Sequence, residues 1–303
     1  MFFYREVQAP QPPEPQIVTD GLILHLDAQN TSSYSGTGSI WEDLTEYNND
    51  GTIYNGAAYA TTEYNQKVFN FDGSNDYIEL PSNFFSQNAN SDFSLSVWFK
   101  TTFAGGIILG QSNAPLNGGA SGWVPAIYID NAGKVKTSCF WGGAVDPATT
   151  SNALNDGDWH NISYTYSSGS RKTYVDGVLD NTKNLSQTSY SSVYYYFLGA
   201  GLGGWPDTVS NYFSGSISNF LFYTKTLTDS EVLQNFNALK NRYSVLITGY
   251  TSGSSVFTTP SLSDSFEFNG NWNDAVDLPT ATSGTVIFTV PDLSDSFETD
   301  GGW

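Results

Sequence analysis

Basic residues are scarce in this 303-residue chain. Eleven Lys and Arg stand against thirty Asp and Glu, leaving a net charge of −19. Nucleic-acid binders need Lys and Arg to neutralise phosphates, so that class is excluded. An anionic membrane surface is excluded on the same ground. Charged residues of both signs make up only 14% of the chain, against about 25% in an average globular protein. Cysteine occurs once, at Cys139, which rules out an intrachain disulfide and a Cys-rich zinc site. Two histidines, His25 and His160, leave no His-rich metal site. No apolar run approaches the roughly 18 residues that span a bilayer, so no membrane insertion is expected. The amino terminus, MFFYREVQAPQPPEPQIV, has no basic stretch followed by a long apolar one, so no export signal is expected.

Aromatic residues, by contrast, are plentiful at 16%, which argues against a disordered chain. Between residues 20 and 225, short runs rich in Tyr, Phe, Val, Ile and Thr alternate with Gly, Asn, Asp and Ser clusters. That pattern predicts many short strands, hence a sandwich or barrel. In LILHLDA (22–28), Leu22, Leu24 and Leu26 are expected to share a face. In FSLSVWFK (93–100), Phe93, Leu95, Val97 and Phe99 alternate against Ser94, Ser96, Trp98 and Lys100 and should face inward. WHNISYTY (159–166) groups Ile162, Tyr164 and Tyr166 in the same way. Asp176-Gly177, flanked by apolar residues, predicts a hairpin, because a type I′ turn needs positive φ. One helix is expected over 228–241. Thr228 and Glu231 form a capping box, Val232, Phe236, Leu239 and Tyr243 form one stripe, and Lys240 and Arg242 suit the last turn.

The chain divides into three parts by composition. Residues 1–19 carry a Pro-rich run from Pro10 to Pro15, which favours extended polyproline-like chain: a disordered leader or an arm on a partner surface. Residues 20–243 hold the strand pattern. Residues 244–303 contain eight acidic residues and no Lys or Arg. This tail repeats itself: 252–272 aligns with 283–303 at an offset of 31, with 13 of 21 positions identical. Two copies are fewer than the three or so that a solenoid needs. The tail is therefore either a linked β mini-domain or an assembly element that pairs with another chain. Its Phe257, Phe266, Trp272, Phe288, Phe297 and Trp303 are the expected contact residues or mini-core.

The order of motifs resembles the laminin-G-like, concanavalin A-like lectin/glucanase family in its bacterial and phage form. The resemblance runs through GLILHLDA (21–28), DLTEYNNDGTIYNG (43–56), FNFDGSNDYIEL (69–80), FSLSVWFK (93–100), DGDWHNISYTY (156–166), KTYVDGVL (172–179) and FSGSISNFLFYTKTLTDSEV (213–232). It covers about residues 18–243. It implies an all-β jelly-roll sandwich of two antiparallel sheets with one short helix near the end of the domain.

No catalytic set is legible. Glycoside hydrolysis uses two carboxylates roughly 5 to 9 Å apart. Glucanases of this fold supply them as Glu-x-Asp-x-Glu on one strand, and that run is absent. Asp156 with Asp158 reads as a turn, and Asp264 with Glu267 recurs as Asp295 with Glu298, so that pair belongs to the repeat. His25 and His160 read as structural, Cys139 as a small buried residue, and GLGG (201–204) as a loop. No cofactor is required. Calcium is a candidate at Asp72, Asn75 and Asp76, since hard cations take carboxylate and carbonyl oxygens, although the same residues form turns. Related sandwiches often carry an acidic residue after the strand-opening Gly-x-Ile, and Ser216-Ile217-Ser218-Asn219 departs from that.

Loops that place Trp beside Gly suit glycan stacking. They nominate Trp123, Trp141 and Trp205, with Asp207 to orient hydroxyls; the same Trp side chains equally suit sandwich caps or a subunit interface. The resemblance, with the flanking arms and the missing export signal, implies three candidate functions. The first is a non-enzymatic phage virion protein, capsid-decorating or tail-associated, with partners among other virion proteins, its own copies and a host-surface glycan. The second is a secreted or cell-surface bacterial carbohydrate-binding protein, with an extracellular location. The third, disfavoured by the missing carboxylates, is a polysaccharide hydrolase.

Overall fold

A computed structural model of the protein describes residues 16–62, 65–82, 92–139, 146–167, 169–184 and 195–243, and the backbone of 245–248 and 285–288. Two eight-stranded antiparallel sheets face each other. The first runs β14 (Val178–Asn184), β13 (Ser170–Val175), β12 (Trp159–Ser167), β7 (Phe93–Lys100), β16 (Ser214–Tyr223), β5 (Lys67–Asp72), β4 (Ala58–Thr61), with β1 (Leu22–Asp27) also on β16. The second runs β11 (Ala148–Ala153), β10 (Lys134–Thr137), β9 (Trp123–Ile129), β8 (Gly106–Ser112), β15 (Tyr195–Leu198), β6 (Tyr77–Leu80), β3 (Gly51–Tyr54), β2 (Ile40–Trp41). This is the expected two-sheet sandwich.

Apolar residues at period 2 from both sheets make the core. Phe93, Leu95, Val97 and Phe99 are buried there with Ile162, Tyr164 and Tyr166, as the alternation predicts. Trp98 is buried as well, on the opposite face of β7. It stacks on Phe236 at 5.4 Å and on Tyr243 at 4.1 Å between ring centroids. The helix α1 (Asp229–Leu239) supplies that second layer, with Val232 and Leu239 buried against Leu221, Tyr223 and Leu227. Its capping box is formed: Thr228 Oγ1 accepts the Glu231 amide at 3.2 Å, and the Thr228 amide donates to Glu231 Oε2 at 2.8 Å. The amino-terminal segment packs on this layer through Gln16, whose carbonyl accepts from Gln234, and Val18, whose amide donates to Asn235 at 2.8 Å.

Two local expectations are corrected. Leu22 does not join Leu24 and Leu26. A register shift between Leu22 and Leu24 inserts Ile23 as a bulge, so Ile23 enters the core and Leu22 packs on the helix side. Lys240 and Arg242 do not form the last α-helical turn. The α-helix stops at Leu239, and Lys240–Arg242 wind as a 3-10 turn. That turn sends Arg242 back to Asp27, at 2.6 Å. The Asp176-Gly177 hairpin forms as predicted, with φ of 50° and 78°.

In the tail, β17 (Val245–Thr248) pairs antiparallel with β18 (Thr285–Phe288), so the start of the tail ladders with the second repeat. Phe257, Phe266, Trp272, Phe297 and Trp303 lie outside the described residues, as do residues 1–15 of the amino-terminal arm.

Candidate ligand-binding face

The outer face of the second sheet collects aromatic residues because several of its strands carry them at every second position. In β6, Ile78 and Leu80 enter the core, which turns Tyr77 and Glu79 outward. In β15, Tyr196 and Leu198 enter the core, which turns Tyr195 and Phe197 outward. Register then aligns three rows. Tyr54 lies opposite Tyr77, and their rings stack at 4.8 Å. Glu79 lies between Thr52 and Phe197. Ser112 lies between Trp123 and Tyr195.

Loops fix which part of this face is open. Tyr77 and Phe197 are covered by Leu116 and Ala200, and Phe197 meets Tyr77 edge-on at 5.8 Å. The loop after β15 crosses directly over β8 at Gly110, where any Cβ would collide with the Ala200 carbonyl oxygen. Tyr54 and Ile40 remain 38% and 39% exposed, while Glu79, Trp123 and Tyr195 are half-buried. Among the described residues, Glu79 has no hydrogen-bond or ion-pair partner, and burial raises its carboxyl pKa. The Trp123 indole N–H is buried and likewise without a partner among those residues.

Of the residues nominated from sequence, Trp123 stands on this face at the start of β9. Trp205 and Asp207 belong to the loop that docks on it. Asp207 accepts from Tyr128 Oη at 2.7 Å and from Lys136 Nζ at 2.6 Å. Burial opposes its ionisation, but those two hydrogen bonds and the Lys136 charge outweigh it and hold its pKa low. Asp207 therefore pins the loop to β9 and β10, and its carboxylate is committed. Trp141 lies outside the described residues. Trp-Gly loops do not point to Glu79, Tyr54 or Tyr195; the Tyr-Ile-Glu-Leu alternation in β6 is the signal in the sequence for an outward Glu79.

The turn between β5 and β6 holds the candidate calcium residues. Asp72 Oδ1 accepts the Ser74 amide at 2.8 Å, and Asp76 Oδ2 accepts the Asp72 amide at 3.1 Å. The Asn75 carbonyl is taken by Asn55, at 3.0 Å. Asp76 is buried, and that burial, with the neighbouring Asp72 carboxylate, raises its pKa despite the amide it accepts. Two neighbouring carboxylates without a Lys or Arg partner among the described residues fit a hard cation, with water to complete its shell. The Asn75 backbone carbonyl accepts only that one hydrogen bond, which leaves it a second lone pair. Among the described residues, no three His, Cys, Asp or Glu side chains gather around one point.

The acid–base residues elsewhere are engaged with one another. His160 Nδ1 meets Asp176 Oδ2 at 2.9 Å, and Nε2 meets Asp156 at 3.1 Å. Asp156 also accepts the Asp158 amide, at 2.9 Å, as the turn reading requires. Burial opposes His160 protonation, but the two aspartates outweigh it and raise its pKa. His25 is lowered by burial, against the pull of Asp27 at 3.9 Å. Cys139 is buried, and desolvation pushes its thiol far up. The fold does bring a basic residue near it, the buried Arg171, which sequence proximity did not reveal.

The chain belongs to the concanavalin A-like lectin/glucanases superfamily, whose laminin-G profile matches residues 72–233. No curated protein matches it. Among solved structures, it is similar to Trypanosoma rangeli sialidase in complex with sialic acid, at 18% identity and a TM-score of 0.52, over 74% of this chain and 34% of that one. The same sialidase in complex with 2,3-difluoro-KDN gives 18% identity and a TM-score of 0.52, over 77% and 36%. The match thus spans about a third of the sialidase chain. Domain 4 of AbnA, an extracellular arabinanase of Geobacillus stearothermophilus, is similar at 18% identity and a TM-score of 0.48, over 71% of this chain and 97% of that one. At these identities the likeness to the sialidase shows the fold alone.

Proposed function

We propose that this chain is a non-enzymatic glycan-binding protein that uses the outer face of its second sheet. One observation carries the reading: Tyr54, Trp123 and Tyr195 stand on the same face as the Glu79 carboxylate, which has no partner among the described residues. Flat rings stack on the apolar face of a pyranose. A carboxylate accepts from sugar hydroxyls. Membership in a superfamily of lectins and glucanases supports the same class.

A binding role is favoured over hydrolysis because four of the described carboxylates are held by basic side chains or stand apart from a second acid. Glu79 faces Thr52 and Phe197 across the sheet, not a second acid. Asp207 is held by Lys136, and Asp156 and Asp176 are held by His160. The test is a glycan array read with the full chain, Tyr54→Ala and Trp123→Ala, beside a reducing-sugar assay. We expect binding that each substitution weakens about tenfold or more, equivalent to about 1.4 kcal/mol, and no sugar release. Binding that survives both changes, or robust turnover that Asp156→Asn with Asp158→Asn or any other carboxylate change abolishes, overturns the reading.

A second reading concerns where the domain is displayed. The acidic, repeat-bearing tail and the Pro-rich arm favour a phage virion protein, capsid-decorating or tail-associated, over a secreted or cell-surface bacterial lectin. Such ends bury little surface by themselves, and ordering them costs about 1 to 2 kcal/mol per residue, which a partner surface would offset. Proteomics of purified particles separates the two locations.

A further inference from the structure

We propose that Glu79 sets the class of sugar: the face selects glycans carrying an unblocked ammonium group, the amino sugars, over neutral N-acetylated sugars, and rejects acidic ones. This rests on the glycan-binding reading above. The carboxylate of Glu79 sits in a row between Thr52 and Phe197, with Tyr77 two residues back on the same face. Phe197 and Tyr77 flank it on two sides and Thr52 on a third, and it has no partner among the described residues. A carboxylate partly withdrawn from water gains most from a cation brought to it, because low local dielectric strengthens the pair.

Among the described residues, no protein cation fills that role on this sheet. Lys136 lies 2.6 Å from Asp207 and 3.7 Å from Asp130. Lys134 donates to the Ser151 carbonyl on the edge strand. The chain as a whole carries −19, so the field over the face draws cations and repels uronate or sialyl groups. The exposed ring of Tyr54, stacked on Tyr77 beside Glu79, adds a π face for an ammonium. Hydroxyls of any sugar can donate to a carboxylate, but only an ammonium group adds an opposite charge to that bond.

The experiment titrates the full chain and Glu79→Gln with three tetrasaccharides: fully deacetylated chitotetraose, its N-acetylated form and tetragalacturonate. Glutamine keeps the shape of the side chain and removes its charge, and an unchanged melting temperature confirms folding. For the wild type we expect the deacetylated sugar to bind at least tenfold tighter than the acetylated one, and the uronate not to bind. In Glu79→Gln the ratio of the first two should fall to about one. A wild type that binds the N-acetylated sugar, loses it in Tyr54→Ala, yet shows no ammonium preference overturns this inference alone. A preference that persists in Glu79→Gln also overturns it. No binding of any sugar removes both readings. Glu79-dependent capture of oligolysine with no sugar bound assigns the face to a basic protein instead.

Discussion

His160 lies between two carboxylates, Asp176 at 2.9 Å and Asp156 at 3.1 Å. The arrangement makes one side chain's charge part of the fold. Because the folded pKa is raised, the stabilisation is full below the unfolded value of about 6.5 and fades as pH rises through the folded one. Melting temperatures measured between pH 5.5 and 8.5 should fall on the alkaline side, and Asp176→Asn should flatten that slope. An unchanged slope would show that His160 is neutral in the folded state. The Asp72–Asp76 pair gives a second prediction. We expect calcium to raise the melting temperature of the wild type, with about 2.7 kcal/mol at a hundredfold excess over Kd. Asp76→Asn should abolish that rise. A wild type indifferent to millimolar calcium would leave the pair as a turn whose raised carboxyl pKa has no metal to answer it.

The helix and its strand partners show how one element closes a sheet face. Trp98 is inserted between the sheet and the Phe236 and Tyr243 rings, so removing it empties the second layer. Trp98→Ala should cost about 3 to 5 kcal/mol, whereas Thr228→Ala should cost only about 1 kcal/mol, the worth of an N-cap. Denaturant titrations of the two variants check the order; equal losses would mean that the helix cap, not the packing, holds the layer. One carboxylate adds two of the contacts that hold the loop after β15, beside the Asn131 bond to the Thr208 carbonyl. Asp207→Ala should speed amide exchange over residues 200–212 while leaving the sheet protected, since only the Lys136 and Tyr128 contacts are removed.

Across the whole molecule, the described sandwich reaches from Gln16 to Tyr243 and is closed by Arg242 on Asp27 and Tyr243 on Trp98. Truncation after Tyr243 keeps both contacts. We expect residues 1–243 to fold with a melting transition close to that of the full chain. If the arms anchor the protein in a particle, deletion of 244–303 together with 1–15 should stop incorporation. Incorporation at the wild-type level would leave a lectin domain with passive ends. Salt provides a separate check on assembly, because an acidic tail that docks on a basic surface should release as ionic strength rises.

Much of the architecture was legible before any coordinates. Alternation in FSLSVWFK and WHNISYTY determined which faces enter the core, because side chains on a strand alternate regardless of what surrounds them. Thr228 with Glu231 determined where the helix begins, and Asp176-Gly177 where the hairpin turns, since both are local contacts within four residues. The β1 bulge was not legible: alternation assigned Leu22 to the core, and pairing with β16 moved it out. Nor was Arg242, which reads as a helix-end cation and instead reaches Asp27, 215 positions away. The candidate site shows the same division. Trp123 was found from its glycine neighbours, but Glu79 became notable only when Phe197, 118 positions on, was laid beside it and nothing basic came with it. Asp207 had the opposite fate, since a carboxylate that looked available in sequence is occupied by Lys136. Periodicity and turn chemistry act between near neighbours, so the chain itself carries them. Whether a buried charge has a partner depends on residues that only sheet register brings together, and that was decided by the tertiary structure.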